Sequence, residues 1–290
     1  MILWIARLAF QLLVLYVFVI VLVYINQRSM QYFPNKSFPG DPKENGVPEM
    51  SEITLKTDDG LQLLAWFAPP ENKNGKIIVY FHGNGGHIGH RQLKARYFIE
   101  SGYGLMFVEY RGYGGNPGRP SEQGLYKDAR AALKWLDTEG YSPAQFVYYG
   151  ESIGSGVAVQ MAYENQPRYL ILEAPFSSAA DVAKQRYFFL PVDLLMKDRF
   201  DNIDKIASVT SSLLIVHGDE DAVIPQGLAK RLYERANHPK EFVSINGGNH
   251  NDLYEHHAGF IILEWLEKQV KAEKAADIVE PKEAATGTDE

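Results

Sequence analysis

Gly150-Glu151-Ser152-Ile153-Gly154 sets a serine between two glycines, after the apolar run Phe146–Gly150 and before the helical run Ser155–Glu164. A serine hydroxyl is a weak nucleophile until a tight turn holds it beside a base and an anion site. A strand–turn–helix with glycine on both sides supplies such a turn, because strand and helix can pack closely while the serine stands at the sheet edge. The plainer alternative is a turn whose serine only caps the helix. The base candidate is His250, in Gly247-Gly248-Asn249-His250-Asn251-Asp252, just past the last apolar run Phe242–Ile245. That loop would reach the same edge as Ser152. His238 at a helix end, and His256 and His257 on the closing helix, read as solvated surface.

An acid is needed to orient the imidazole and stabilise its cation. Asp219, Glu220 and Asp221 follow the buried run Leu213–His217. Asp221 is the choice, since the chain has left the strand by then and Ala222-Val223-Ile224-Pro225 leads into a helix. Asp219 is the runner-up, with an Asx-type role in the turn as its other reading. Developing negative charge needs two backbone N–H groups. Ile153, next after the nucleophile, supplies one. Asn84 supplies the other, with Gly85 close behind, from His82-Gly83-Asn84-Gly85-Gly86 after the run Ile77–Phe81. This glycine-rich loop does not fit nucleotide binding: a G-x-G-x-x-G frame begun at Gly83 meets Ile88, and no Lys-Ser/Thr follows. His82, His87 and His90 invite a metal reading, but no nearby carboxylate completes a ligand set, and His82 suits a buried hydrogen bond in the loop. Neither a metal nor a cofactor is expected.

The elements that must position these residues follow from periodicity. Ser51–Thr57 and Leu61–Ala68 alternate in period two around Asp58-Asp59-Gly60, a hairpin signature. Strand, turn and helix then repeat. Strands are expected at Ile77–Phe81, Leu105–Tyr110, Phe146–Gly150, Leu170–Glu173, Leu213–His217 and Phe242–Ile245. Helices are expected at Arg91–Ser101, Ser121–Glu139 with Ser121 as N-cap, Ser155–Glu164, Gln226–Ala236 and His256–Lys271. Continuously apolar strands alternating with helices imply an α/β fold: a mostly parallel, doubly wound sheet buried on both faces, with the hairpin as an antiparallel edge. Residues 176–210 break the alternation. Tyr187, Phe188, Phe189, Leu190, Leu194, Leu195 and Met196 make them a cap insertion, apolar enough for an interface or a ligand groove.

The 290 residues are 46% hydrophobic, with a net charge of -7 and no cysteine. That excludes global disorder, disulfides and thiol chemistry, and an acidic chain is a poor partner for nucleic acid. The eighteen residues Leu8–Ile25 are almost wholly apolar. At about 1.5 Å per residue they span about 27 Å, near the roughly 30 Å of a bilayer core. The run is longer than a signal-peptide core and no small-x-small cleavage site follows. Residues 1–25 therefore read as a transmembrane anchor. Arg7 on one side and Arg28 and Lys36 on the other nearly balance, and the start-transfer habit of such anchors favours a domain on the outer, periplasmic or extracytoplasmic face. Residues 26–50 read as a loosely packed juxtamembrane linker and 51–272 as the domain. Residues 273–290, with six acids against Lys274 and Lys282, read as a disordered tail.

Taken together, His82–Gly86, Tyr110-Arg111-Gly112-Tyr113-Gly114, Gly150–Gly154, His217-Gly218-x-x-Asp221 and Asn249–Asp252 resemble the serine hydrolase branch of the α/β-hydrolase superfamily. With the anchor, they resemble its single-pass membrane-anchored α/β-hydrolase-domain proteins. The chain order Ser152, Asp221, His250 is the order of that fold. The resemblance covers most of residues 51–270 and implies esterase-, lipase- or thioesterase-like activity. Glu109 departs from it, standing where relatives usually carry Asp, and so does His87, where a small polar residue is commoner. The expectation is a hydrolase of a small-molecule ester or acyl substrate, acting through an acyl-enzyme on Ser152, with the membrane as its other partner. A peptidase with the same triad, or a non-catalytic membrane-anchored binding module, are the alternatives.

Overall fold

Runs that are apolar at every position must be covered on both faces. The computed structural model, which describes residues 1–284, places those runs in the middle of one eight-stranded sheet. The chain begins with helix α1 (Ile2–Gln31) and the short strand β1 (Phe33–Pro34). The hairpin β2 (Ser51–Lys56) and β3 (Gln62–Ala68) follows, then β4 (Ile77–Phe81), the short β5 (Gly85–Gly86) and α2 (Gln92–Glu100). Next come β6 (Gly104–Val108), α3 (Glu122–Thr138), β7 (Phe146–Glu151), α4 (Ile153–Asn165) and β8 (Tyr169–Glu173). Three small helices, α5 (Ala179–Arg186), α6 (Val192–Leu195) and α7 (Asn202–Ile206), fill the expected insertion. The chain closes with β9 (Ser212–Gly218), α8 (Gln226–Arg235), β10 (Lys240–Ile245) and α9 (Ala258–Ala284).

The strand order is β10-β9-β8-β7-β4-β6-β3-β2. Pairing is parallel from β10 to β6 and antiparallel at β6–β3 and β3–β2, so the hairpin is the antiparallel edge that its period-two pattern implies. Register aligns the strand ends: Phe81 sits beside Gly150, Glu151 beside Glu173, and Ile245 beside Gly218. The loops after β4, β7, β9 and β10 therefore emerge along one edge, where ligands bind in open α/β sheets. One apolar layer joins α3, α4 and α8 to the sheet, and a second joins α2 and α9 to the other face.

Three boundaries differ from the sequence reading. The segment 26–50 is not loosely packed. Residues 26–31 complete α1, Tyr32, Val47 and Met50 are buried, and β1 pairs in parallel with β5. The turn residues of this segment masked the few apolar side chains that tie it down. The tail expected from 273 on instead continues α9 to Ala284, and Glu273 pairs with Lys76 at 2.8 Å and Arg168 at 2.7 Å. An acid-rich composition concealed one acid with two basic partners. Residues 285–290, also part of that reading, lie outside the described residues. His256 and His257 precede the closing helix rather than lying on it.

The loop after β6 is fixed by Arg111, whose guanidinium lies 2.9 Å from Asp59 and 2.7 Å from the fully buried Asp128. Asp128 also accepts the Arg111 amide at 2.9 Å. From this loop Tyr113 donates to the Asn84 side chain at 2.8 Å and Tyr110 donates to the His82 carbonyl at 3.3 Å. The hairpin turn, α3 and the His82–Gly86 loop thus share one anchor. Replacing Arg111 with Ala strands a buried carboxylate, at a cost of about 3–5 kcal/mol. Urea unfolding of Arg111→Ala should show a stability loss of that order; a loss below about 1 kcal/mol would mean that the ion pair does not hold the loop.

Candidate active site

Ser152 sits between β7 and α4 at φ 51° and ψ -119°. A non-glycine residue there carries strain of about 1–3 kcal/mol, kept only where the surroundings over-determine it. They do so through the two flanking glycines. A Cβ on Gly154 would meet the Phe81 carbonyl oxygen at 2.0 Å, and one on Gly150 would meet the Gly154 carbonyl oxygen at 2.4 Å. The Ser152 amide donates to the Glu173 carbonyl at 2.9 Å, fixing the turn to β8.

The turn presents the Ser152 Oγ 2.9 Å from His250 Nε2, and His250 Nδ1 lies 2.7 Å from Asp221 Oδ2. The structure thus brings together the three residues drawn from three separate loops. Asp221 Oδ1 accepts the amides of Val223 and Ile224, both at 2.8 Å, while Oδ2 also faces His217 Nε2 at 3.2 Å. His217 Nε2 also lies 2.9 Å from the Ile224 carbonyl oxygen, so it is shared between that carbonyl and Asp221. Burial pushes the Asp221 carboxyl up, but the hydrogen bonds from His217 and His250, with the positive charge His250 can carry, override it and hold it well below the usual carboxylate range. Asp219 does different work: its carboxylate accepts the Gly247 amide at 2.8 Å and ties the acid loop to the histidine loop.

His217 is a site residue to which the sequence reading gave no role. Its motif His217-Gly218-x-x-Asp221 was visible, but a contact made as the chain folds back on itself is not read from spacing. Gly218 lets the loop before His250 close on the end of β9, for a Cβ there would meet the Gly248 carbonyl oxygen at 2.1 Å. In the loop after β4, His82 Nδ1 lies 2.7 Å from the Gly83 carbonyl oxygen and its Nε2 lies 3.0 Å from Glu109, which also accepts the Ile88 amide at 2.8 Å. His87 stacks on His90 at 3.9 Å. No cluster of three or more His, Cys, Asp or Glu side chains able to hold a metal occurs among the described residues.

Behind the serine, on the α2 side of the sheet, lies a charge network that was also missed. Lys94 bridges Glu151 at 2.9 Å and Glu173 at 2.6 Å, and Arg91 meets Glu151 at 3.2 Å. Tyr80 donates to Glu151, and Tyr149 to Glu173. Burial would raise the Glu151 carboxyl, but Arg91 and Lys94 outweigh it and keep it well below its ordinary value. Two acids at the ends of β7 and β8 and two bases from the start of α2 leave no net charge behind Ser152.

In front of the serine is a cavity of about 290 Å³, lined by Ser152, Ile153 and Asn84, by the cap and by the end of α1. The Asn84 side chain is occupied elsewhere, donating to the Gln31 carbonyl at 2.7 Å and accepting the Phe33 amide at 3.1 Å. The cap residues divide in two. Tyr187, Leu190, Leu195 and Met196 line the cavity, whereas Phe188, Phe189 and Leu194 are 85%, 53% and 85% exposed.

Residues 72–199 match the family described as serine aminopeptidase, S33. An uncharacterized protein of Mycobacterium tuberculosis is 38% identical over 236 residues, 81% of this chain and 84% of that protein. The human alpha/beta hydrolase domain-containing protein 17B is 32% identical over 206 residues, 68% of each chain. Among solved structures, an esterase of Pyrococcus furiosus aligns with a TM-score of 0.66 at 18% identity, over 81% of this chain and 98% of its own. The α/β hydrolase GrgF of Penicillium sp. sh18 aligns at 0.64 and 16%, over 77% and 98%. The chain belongs to the α/β-hydrolase superfamily, and its family match and relatives make it a hydrolase.

Close approach at Gly154 leaves no space for a methyl group. Gly154→Ala should accumulate as insoluble protein or unfold well below the parent temperature, by circular dichroism; a parent-like melting curve would show that α4 can move away from β4.

Proposed function

We propose that this protein is a serine hydrolase that cleaves carboxylic esters or thioesters through an acyl-enzyme intermediate. The observation that carries the reading is the continuous chain of contacts from Ser152 through His250 to Asp221. In the first half-reaction Ser152 Oγ attacks the acyl carbon while His250 Nε2 takes its proton. The N–H groups of Ile153 and Asn84 face the oxyanion. The bond to the alcohol or thiol then breaks and His250 returns the proton to that leaving group. Water repeats the sequence, releasing the acid and restoring Ser152. Asp221, ionised throughout, keeps the imidazole in the tautomer whose Nε2 faces the serine. No cofactor enters the scheme.

The family match on residues 72–199 favours a second reading, aminopeptidase activity with the same triad. Recognition of a free α-amino group calls for a carboxylate near the scissile bond. Among the described residues no Asp or Glu lines the cavity in front of Ser152, and aliphatic and aromatic side chains make up most of its wall. That composition suits an acyl chain better than a peptide N-terminus.

We also propose that α1 anchors the enzyme in a membrane with its domain on the outer face. α1 is long and apolar enough to span a bilayer, and no residue of it is buried. Protection of the domain from added protease in intact cells would reverse that orientation.

Hydrolysis of p-nitrophenyl esters graded by chain length tests the chemistry. Turnover should be measurable in the wild type and fall by several decades in Ser152→Ala. Asp221→Asn should cost roughly 10⁴-fold through loss of the working tautomer, and Asp219→Asn much less. A folded Asp219→Asn more damaged than Asp221→Asn would reassign the acid. Faster release from aminoacyl anilides than from any ester would favour the peptidase.

A further inference from the structure

The cavity in front of Ser152 is not closed by the hydrolase domain alone. Val23, Gln27, Met30, Gln31 and Phe33 line it from α1 and the residues after it. These side chains follow helical spacing on one face of α1, and that face is pinned. Arg28 pairs with Asp198 at 2.7 Å, and Gln31 donates to the Asp198 carbonyl at 2.9 Å. Gln27 donates to the Leu195 carbonyl at 3.1 Å and accepts the Lys197 amide at 2.7 Å. Further back, Tyr16 donates to the Phe189 carbonyl at 2.8 Å, and Ile20 and Val23 pack on the cap core around Leu190 and Val192. The amides of Gln27 and Gln31 are thus spent on the cap backbone and Arg28 on the Asp198 carboxylate, which leaves Val23 and Met30 as the apolar side chains that α1 offers to the cavity.

The Tyr16–Phe189 contact also fixes how deep the cap reaches. Tyr16 lies nine residues before Ile25, where the apolar run ends. At about 1.5 Å per residue that is about 14 Å along the helix, roughly half of a bilayer core of about 30 Å. A cap touching α1 there lies within the leaflet. Phe188 and Leu194, each 85% exposed, then face hydrocarbon instead of water, which accounts for large apolar side chains left bare at a cap tip.

Given the hydrolase reading above, on which this rests, the geometry points to a site whose acyl pocket is walled by the membrane helix and opens into one leaflet, so that the substrate is an acyl ester of a membrane lipid entering sideways from the bilayer. α1 is then a substrate-binding element as well as an anchor. The acyl chain moves from leaflet to cavity without crossing water, past Val23, Leu190 and Met196, and its carbonyl arrives at Ser152.

Two measurements on the full chain in phosphatidylcholine vesicles test this. The first uses Val23→Trp, which fills the wall, and Ile25→Trp, on the exposed face of α1 away from the cavity (69% exposed). Val23→Trp should lower the ratio of dodecanoyl to acetyl ester turnover by about tenfold or more, the scale on which apolar pockets discriminate. Ile25→Trp should keep the wild-type ratio. An unchanged ratio in Val23→Trp, or an equal loss in Ile25→Trp, would overturn the wall. The second needs no activity. The chain has no cysteine, so Phe188→Cys can carry a single nitroxide. The label should be accessible to oxygen and shielded from an aqueous nickel chelate, unlike one at Asn72→Cys at the far end of the sheet. Equal chelate access at both positions would place the cap in water and overturn the leaflet opening. Absence of ester turnover in the wild type would instead count against the hydrolase reading, and the nitroxide result would stand apart from it.

Discussion

The helix that opens at Ser152 lies so close to the end of β4 that only glycine fits between them. From the contact of Gly154 with the Phe81 carbonyl follow the direction of α4, the left-handed backbone of Ser152 and the position of its hydroxyl at the sheet edge. Strain at one residue is small beside what holds it: the register of β4 with β7, the Ser152–Glu173 amide bond and the layer of apolar side chains under α4. A strained residue survives because its neighbours have no alternative arrangement. The histidine and the acid come from loops whose strands already end in register, so little further ordering is needed to bring them within hydrogen-bond reach.

Electrostatics around that turn divides into two compartments. On one side, the Asp221 carboxylate accepts two backbone amides and faces the rings of His250 and His217. On the far face, Arg91 and Lys94 balance Glu151 and Glu173, with tyrosine hydroxyls completing the carboxylates. Burying such groups is tolerable only when every charge is paired and hydrogen-bonded. Their pairing next to Ser152 keeps Glu151 from adding an unpaired negative charge behind the turn.

Much of this was legible in the sequence because it is local. Unbroken apolar runs announced the parallel strands, period-two alternation the hairpin, and Gly-x-Ser-x-Gly between strand and helix the turn that carries Ser152. The loops holding Asp221 and His250 were found because each follows a strand of the parallel sheet, and parallel strands end together. What stayed hidden depends on residues far apart in the chain. Glu273 reads as part of an acidic tail until Lys76 and Arg168 are brought beside it. The segment after residue 25 reads as a linker because its Pro, Asn and Gly mask Tyr32, Val47 and Met50. The packing of the apolar run of α1 against the cap has no sequence period of its own, since that run is apolar on nearly every face.

The central claim is that Ser152 is the nucleophile. Reaction of the full-length protein with a fluorophosphonate, followed by peptide mass mapping, tests it most directly. The account predicts a single adduct, on the peptide that contains Ser152, and its loss when the protein is unfolded before exposure. A native protein that takes up no label, or takes it up on a residue other than Ser152, would contradict it.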